Sequence, residues 1–247
     1  MPIFKDDSAE TFRTAGSGFH FSGTSINNLG ASEYTLVGIA CDRSGSVVPF
    51  AAEIESCLKT ALESCQKSPR VDNLLVRLLA FNQTLDEQHG FRPLRDCHLA
   101  GYDGFLRPGG TTALYDASVN IVDSLATYGR TLMANDYTVN GLAIVITDGC
   151  DVGSKLTMSE VANAVKRATQ AESLESLITV LIGINVQDPE VSRALNDLKA
   201  NGGFTQYVEA KDASPKTLAR VAGFISKSIS SQSQSIGSGA ASQPIVF

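Results

Sequence analysis

Residues 35–41 (TLVGIAC) form an unbroken run of apolar and β-branched residues, similar runs recur at 142–147 and 177–183, and runs interrupted by polar residues lie at 74–81 and 205–209. Each is too short for a buried helix and is bounded by polar residues, the pattern of strands covered on both faces. Between the runs the apolar positions change period. Phe50, Ile54, Cys57, Leu58, Ala61, Leu62 and Cys65 recur every three or four residues, which gives a helix over 48–66 one buried face. The same reasoning predicts helices over 113–134, 158–173, 189–200 and 214–229. Pro189 and Pro215 suit first helical turns, with Asp188 and Ser214 before them as caps, and Asn201, Gly202 and Gly203 suit a helix stop. Alternation of strands and helices predicts an α/β fold: a doubly wound, mostly parallel central sheet with helices on both faces.

The ends of the chain depart from this pattern. Residues 1–33 are polar and glycine-rich, with Phe4, Phe12, Phe19 and Phe21 as scattered anchors, and read as an N-terminal arm ordered where those rings dock. Residues 34–230 form the expected domain. Residues 231–247 read as a flexible tail, because eight serines lie between Ser226 and Ser242 with glutamines and glycines among them. That tail closes on an apolar hook, Pro244, Ile245, Val246 and Phe247, which fits either a solvated end or a short docking segment.

With 247 residues and 43% apolar content the chain can bury a full core as one domain. No stretch approaches the roughly 20 apolar residues that span a bilayer, and the first residues lack the layout of a signal peptide, so the expectation is a cytoplasmic protein without a membrane partner. A net charge of −6 with no basic cluster argues against nucleic acid. The cysteines Cys41, Cys57, Cys65, Cys97 and Cys150 have no C-x-x-C spacing, and His20, His89 and His98 are the only histidines. Free thiols are expected rather than a zinc centre.

Candidate chemistry lies where the apolar runs stop. The first empties into Asp42, Arg43, Ser44, Gly45 and Ser46, a D-x-S-x-S in which a carboxylate and two hydroxyls alternate. A loop turning around an ion could aim these oxygens at one point, and hard oxygen donors suit Mg²⁺, with Ca²⁺ or Mn²⁺ as alternatives. Gly109, Gly110, Thr111 and Thr112 place hydroxyls between a glycine pair and a helix start, and the 142–147 run ends at Asp148 and Gly149. Each piece has a plainer reading: Ser44 or Ser46 as a helix cap, Asp148-Gly149 as a turn, the glycine pair as a bend. Their order, each at the end of its element, favours a shared site.

These three motifs resemble the von Willebrand factor A (VWA) family with its metal-ion-dependent adhesion site, over about residues 34–230, and specifically a stand-alone intracellular bacterial or phage member. The resemblance implies Asp42, Ser44, Ser46, Thr112 and Asp148 as metal ligands, with Thr111 as the alternative to Thr112, and a partner's Asp or Glu completing the shell. It also implies one antiparallel edge strand, placed at 90–97, and a last helix that moves as the metal gains its anionic ligand. Asp151 and Asp116 read as a solvated loop acid and a helix N-terminal acid, and Arg43 as a solvent-facing neighbour of the ligands.

No nucleophile-and-base motif, Walker A lysine, H-E-x-x-H or G-x-G-x-x-G is present, so an enzyme is not expected. The leading expectation is a metal-dependent protein-interaction module, by analogy an adaptor to an AAA+ ATPase or a stress or tellurite-resistance system. The alternative is a self-assembling structural protein that forms a homo-oligomer through its arm and tail.

Overall fold

The computed structural model describes residues 9–14, 16–170, 173–238 and 242–247. Eight strands form one sheet: β1 (Ala9–Arg13), β2 (His20–Thr24), β3 (Glu33–Asp42), β4 (Leu74–Phe81), β5 (Leu85–Pro93), β6 (Thr138–Thr147), β7 (Ser176–Ile184) and β8 (Gln206–Ala210), in the order β1-β2-β5-β4-β3-β6-β7-β8. β4, β3, β6, β7 and β8 run parallel, and β5 is antiparallel to β4. The helices are α1 (Ala51–Gln66), α2 (Leu114–Met133), α3 (Met158–Gln170), α4 (Pro189–Asn201) and α5 (Pro215–Ser238). Two apolar cores follow from the pleat. Val37, Ile39 and Val76 face α1 and α5, whereas Leu36, Ala40 and Leu75 face α2 and α3. This is the doubly wound α/β architecture that the alternating pattern predicts.

Several boundaries moved. A 3₁₀ turn over Gly45–Phe50 precedes α1, because Pro49 lacks the N–H that an α-helix would use. Residues 171 and 172 of the helix expected over 158–173 lie outside the described residues. The antiparallel strand begins at Leu85 rather than 90 and is not the edge, since the hairpin of β1 and β2 continues the sheet beyond it. Phe21 and Phe12 stack at 5.3 Å and Phe12 meets Tyr128 edge-on, so the arm is fastened by its rings. Phe4 lies outside the described residues, as do 1–3, 5–8 and 15.

The last helix, expected to stop at 229, runs to Ser238. Its added turns are held by polar groups: Gln232 Nε2 donates to the Gly141 carbonyl at 3.1 Å, and Asn140 Nδ2 donates to Ser235 Oγ at 3.1 Å. Beyond residues 239–241, which are not described, the hook packs on its own chain. Phe247 meets Phe224 edge-on at 5.7 Å and lies 4.6 Å beneath the Arg220 guanidinium, while the Ile245 carbonyl accepts from Gln206 Nε2 at 2.8 Å.

A guanidinium sits inside the core. Arg77 of β4, 1% exposed, bonds Glu87 Oε2 at 2.7 Å and Asn120 Oδ1 at 2.8 Å. The β4–β5 ladder shifts register on both sides of Leu78, so β5 carries bulges beside this pair.

Candidate metal centre

β3 is flanked by β4 on one side and β6 on the other, so the winding reverses between β3 and β6, where open α/β sheets collect ligands. Asp42 ends β3 and Asp148 directly follows β6. The Ser44 N–H donates to Asp42 Oδ1 at 2.7 Å, which curls the D-x-S-x-S segment into a tight turn. The two serine hydroxyls then lie 3.1 Å apart, and Ser46 Oγ donates to Asp148 Oδ1 at 2.9 Å. Neither serine side chain caps the 3₁₀ turn that follows; Ser44 contributes only its carbonyl, to the Val47 N–H. The hydroxyls are thus free of the helix and gathered with both carboxylates.

The glycine loop is sewn to this turn by backbone. The Gly109 N–H donates to the Arg43 carbonyl at 2.8 Å and the Gly45 N–H to the Gly110 carbonyl at 3.1 Å. Gly109 has φ +157 and Gly110 has φ +80, backbone that strains other residues, so this bend favours glycine. Thr112 is buried and its carbonyl accepts from the Val152 N–H at 2.7 Å, tying the loop to the segment after Asp148. Thr111 is exposed, its N–H takes Gln83 Oε1 at 3.1 Å and its hydroxyl lies against Gly153.

Burial sets the electrostatics. Desolvation pushes the Asp42 carboxyl up to about 6, against the pull of bonds from Thr147 and Ser44. Asp148 is likewise raised by burial, opposed by the bond from Ser46. Two carboxylates with raised proton affinity beside two hydroxyls form a pocket of oxygen that lacks positive charge. Among the described residues no group of three or more His, Cys, Asp or Glu could hold a metal, so the donor set here depends on hydroxyls. Cys41, Cys57, Cys65 and Cys97 are buried, Cys150 is half-buried, and all five are free thiols.

Three neighbours have partners that the sequence did not show, and Asp116 lies in the first turn of α2 as expected. Arg43 does not face solvent: its guanidinium pairs with Asp86 and donates to Thr84 Oγ1 at 3.0 Å. Asp151 accepts from the Tyr115 N–H at 3.2 Å and Asp116 from the Leu156 N–H at 2.9 Å, so both acids fasten the loop after β6 to the start of α2. Ser154 Oγ also accepts from the N–H groups of Tyr115 and Asp116, each at 3.1 Å, and supplies the cap that Ala113 cannot.

Sequence reasoning missed Asn82. Its Nδ2 donates to the Gly109 carbonyl at 2.7 Å, its own carbonyl accepts from the Ala113 N–H at 2.9 Å, and its Oδ1 accepts from the Thr84 N–H at 3.0 Å. The available signal was its position, one residue past the end of β4 at the edge where Asp42 stands.

No family model matches the chain, and no curated protein matches it by sequence. Solved structures match by fold. The D319A mutant of the PilB minor pilin from Streptococcus sanguinis aligns at TM-score 0.59 with 13% identity, over 91% of this chain and 67% of that one. The proximal thread matrix protein 1 of the mussel byssus, with a zinc-occupied MIDAS motif, aligns at 0.55 with 18% identity over 81% of this chain. A von Willebrand factor type A structure from Catenulispora acidiphila aligns at 0.51 with 18% identity over 85%. The chain spans 46% and 45% of the latter two. The fold is therefore VWA-like. No helix among the described residues is long and apolar enough to cross a membrane.

Proposed function

We propose that the chain is a metal-dependent protein-interaction module rather than an enzyme, binding Mg²⁺ through Asp42, Ser44, Ser46, Thr112 and Asp148 and taking an Asp or Glu of a partner as a further ligand. One observation carries the reading. Ser44 Oγ, Ser46 Oγ and Asp148 Oδ1 are spaced 3.1 and 2.9 Å apart, close to the roughly 3.0 Å edge of an octahedron with ligands at about 2.1 Å. Calcium and manganese accept the same hard oxygen donors, and an all-oxygen set suits zinc poorly. The zinc-occupied motif of the mussel protein supports a divalent ion at this position of the fold.

Asp42 and Asp148 would supply charge and the serines and Thr112 neutral donors, which leaves the ion able to gain from an incoming anion. Thr112 is the threonine assigned by alignment of the motif, with Thr111 as the alternative. An AAA+ ATPase is the partner class that the resemblance supplies. The assembly reading draws nothing from the tail, whose Ile245 and Phe247 pack on the chain's own core.

The test is calorimetric titration with Mg²⁺ together with capture of partners in Mg²⁺ and in EDTA. Wild type should bind one ion and gain about 2.7 kcal/mol of stability at a hundredfold excess over Kd, and the Ser44→Ala, Ser46→Ala protein should do neither. A partner retained by that variant and in EDTA would overturn the reading.

A further inference from the structure

β5 has two halves. In the second, Phe91 pairs in parallel with Gly23 of β2, and that single pair is the whole ladder between these strands. In that register residues 85–87 fall opposite residues 17–19, ahead of β2. Residues 85–87 thus have a ladder partner only on the β4 side among the described residues, and Gln88 is the bulged residue that follows them. Every second N–H and C=O along them points away from β4. What bridges the gap is a side chain, Glu87, whose Oε1 accepts from the Ser22 N–H at 2.9 Å and the Ser22 hydroxyl at 2.6 Å. A cavity of about 440 Å³ opens along this edge, bounded by Leu85, Gln88, His20, Phe105 and Arg107.

This free edge adjoins the candidate metal centre. Asp42 of β3 pairs with Phe81 of β4, which pairs with Leu85 of β5, so the three residues form one row across the sheet. A strand added outside Leu85 would lie three strand spacings from Asp42, about 14 Å, which about four extended residues cover. Charge points to the occupant. Asp86 is neutralised by Arg43 and Glu87 by Arg77, whereas Arg107, exposed at the rim two residues before Gly109, has no ion-pair partner among the described residues.

We propose that residues 85–88 are the docking edge for an extended acidic peptide of a partner protein, which adds a strand beside β5 and passes Arg107 to place its carboxylate on the metal. Main-chain hydrogen bonds would supply affinity, and the cavity would select the side chains that alternate inward. The proposal rests on the metal-dependent reading for its anchor but makes a separate claim about the edge.

A displayed library of random peptides, selected on the full chain in Mg²⁺, tests it. Expected are peptides carrying an Asp or Glu about four residues from a β-branched or aromatic alternating segment. Their synthetic versions should slow amide exchange within residues 85–88 and lose about tenfold in affinity on Arg107→Glu, a variant whose Mg²⁺ affinity by calorimetry stays at the wild-type value. Peptides that bind only with Mg²⁺, leave 85–88 exchange unchanged and ignore Arg107→Glu would overturn the edge while the metal reading stands. Peptides that protect 85–88 equally in EDTA would support the edge and sink the metal reading. No selected peptide, or protection of 85–88 by self-association alone, would overturn the proposal.

Discussion

Thr147 Oγ1 donates to Asp42 Oδ2 at 2.6 Å across the gap between the ends of β6 and β3. With Oδ1 held by the Ser44 N–H, both oxygens of this buried carboxylate are fixed before any ion arrives. Its carboxyl is nonetheless raised from 3.8 to about 6 by desolvation. The folded chain therefore holds this proton more tightly than the unfolded chain does. Stability without a divalent ion should fall as pH rises from about 4 to about 6, by on the order of 3 kcal/mol. Asp42→Asn removes the buried charge. It should melt higher than wild type at pH 7 in EDTA, melt with it below pH 4, and show no Mg²⁺-induced shift in calorimetric scans.

Thr147→Val deletes the donor and leaves Asp42 Oδ2 with one partner fewer. Proton affinity at Asp42 should rise further, Mg²⁺ affinity should fall about tenfold, and the pH at which half the Mg²⁺ binding is lost should move upward. Titrations at several pH values check all three.

Asn82→Ala releases the Gly109 carbonyl and the N–H of Thr84 together. Loss of about 2–3 kcal/mol in a denaturant titration is expected, because buried groups are left unpaired. Mg²⁺ binding should weaken as well, since the loop bearing Thr112 is fixed through this side chain. An Asn82→Ala protein that is destabilised but binds Mg²⁺ normally would show that the loop is held by its other backbone bonds.

Phe247→Ala removes the ring seated on Phe224 and beneath Arg220. About 1–2 kcal/mol of stability should be lost, and amide exchange should quicken in α5 near Ala222 and Ile225 more than in β3.

Much of this was legible in the chain. The β4 run at 74–81 needed no structure because all its side chains are buried and all but Arg77 are apolar. The end of α5 was not legible, because its inward positions there are Gln232, Ser233 and Ser235, which satisfy polar groups of β6, β7 and Arg70 and leave no apolar period. β5 was displaced in the reading because residues 86–88 are polar and half-buried and Leu85 stands alone before them. Of the site, the oxygen donors were visible as motifs. Asn82 and Ser154 were not, since each acts on backbone atoms about 27 to 39 residues away, and such pairings carry no local pattern.

The buried guanidinium of Arg77 has a consequence for alignment. Residues 85–88 alternate between the two faces of the sheet, so a slide of β5 by one position would turn Glu87 to the opposite side. Arg77 would then face Asp86 or Gln88, one already engaged by Arg43 and the other without charge. A guanidinium stranded in the core is costly enough to disfavour that arrangement. The pair thus works as a pawl on β5, holding the bulged strand, and with it the edge that leads to the metal centre, at a single setting.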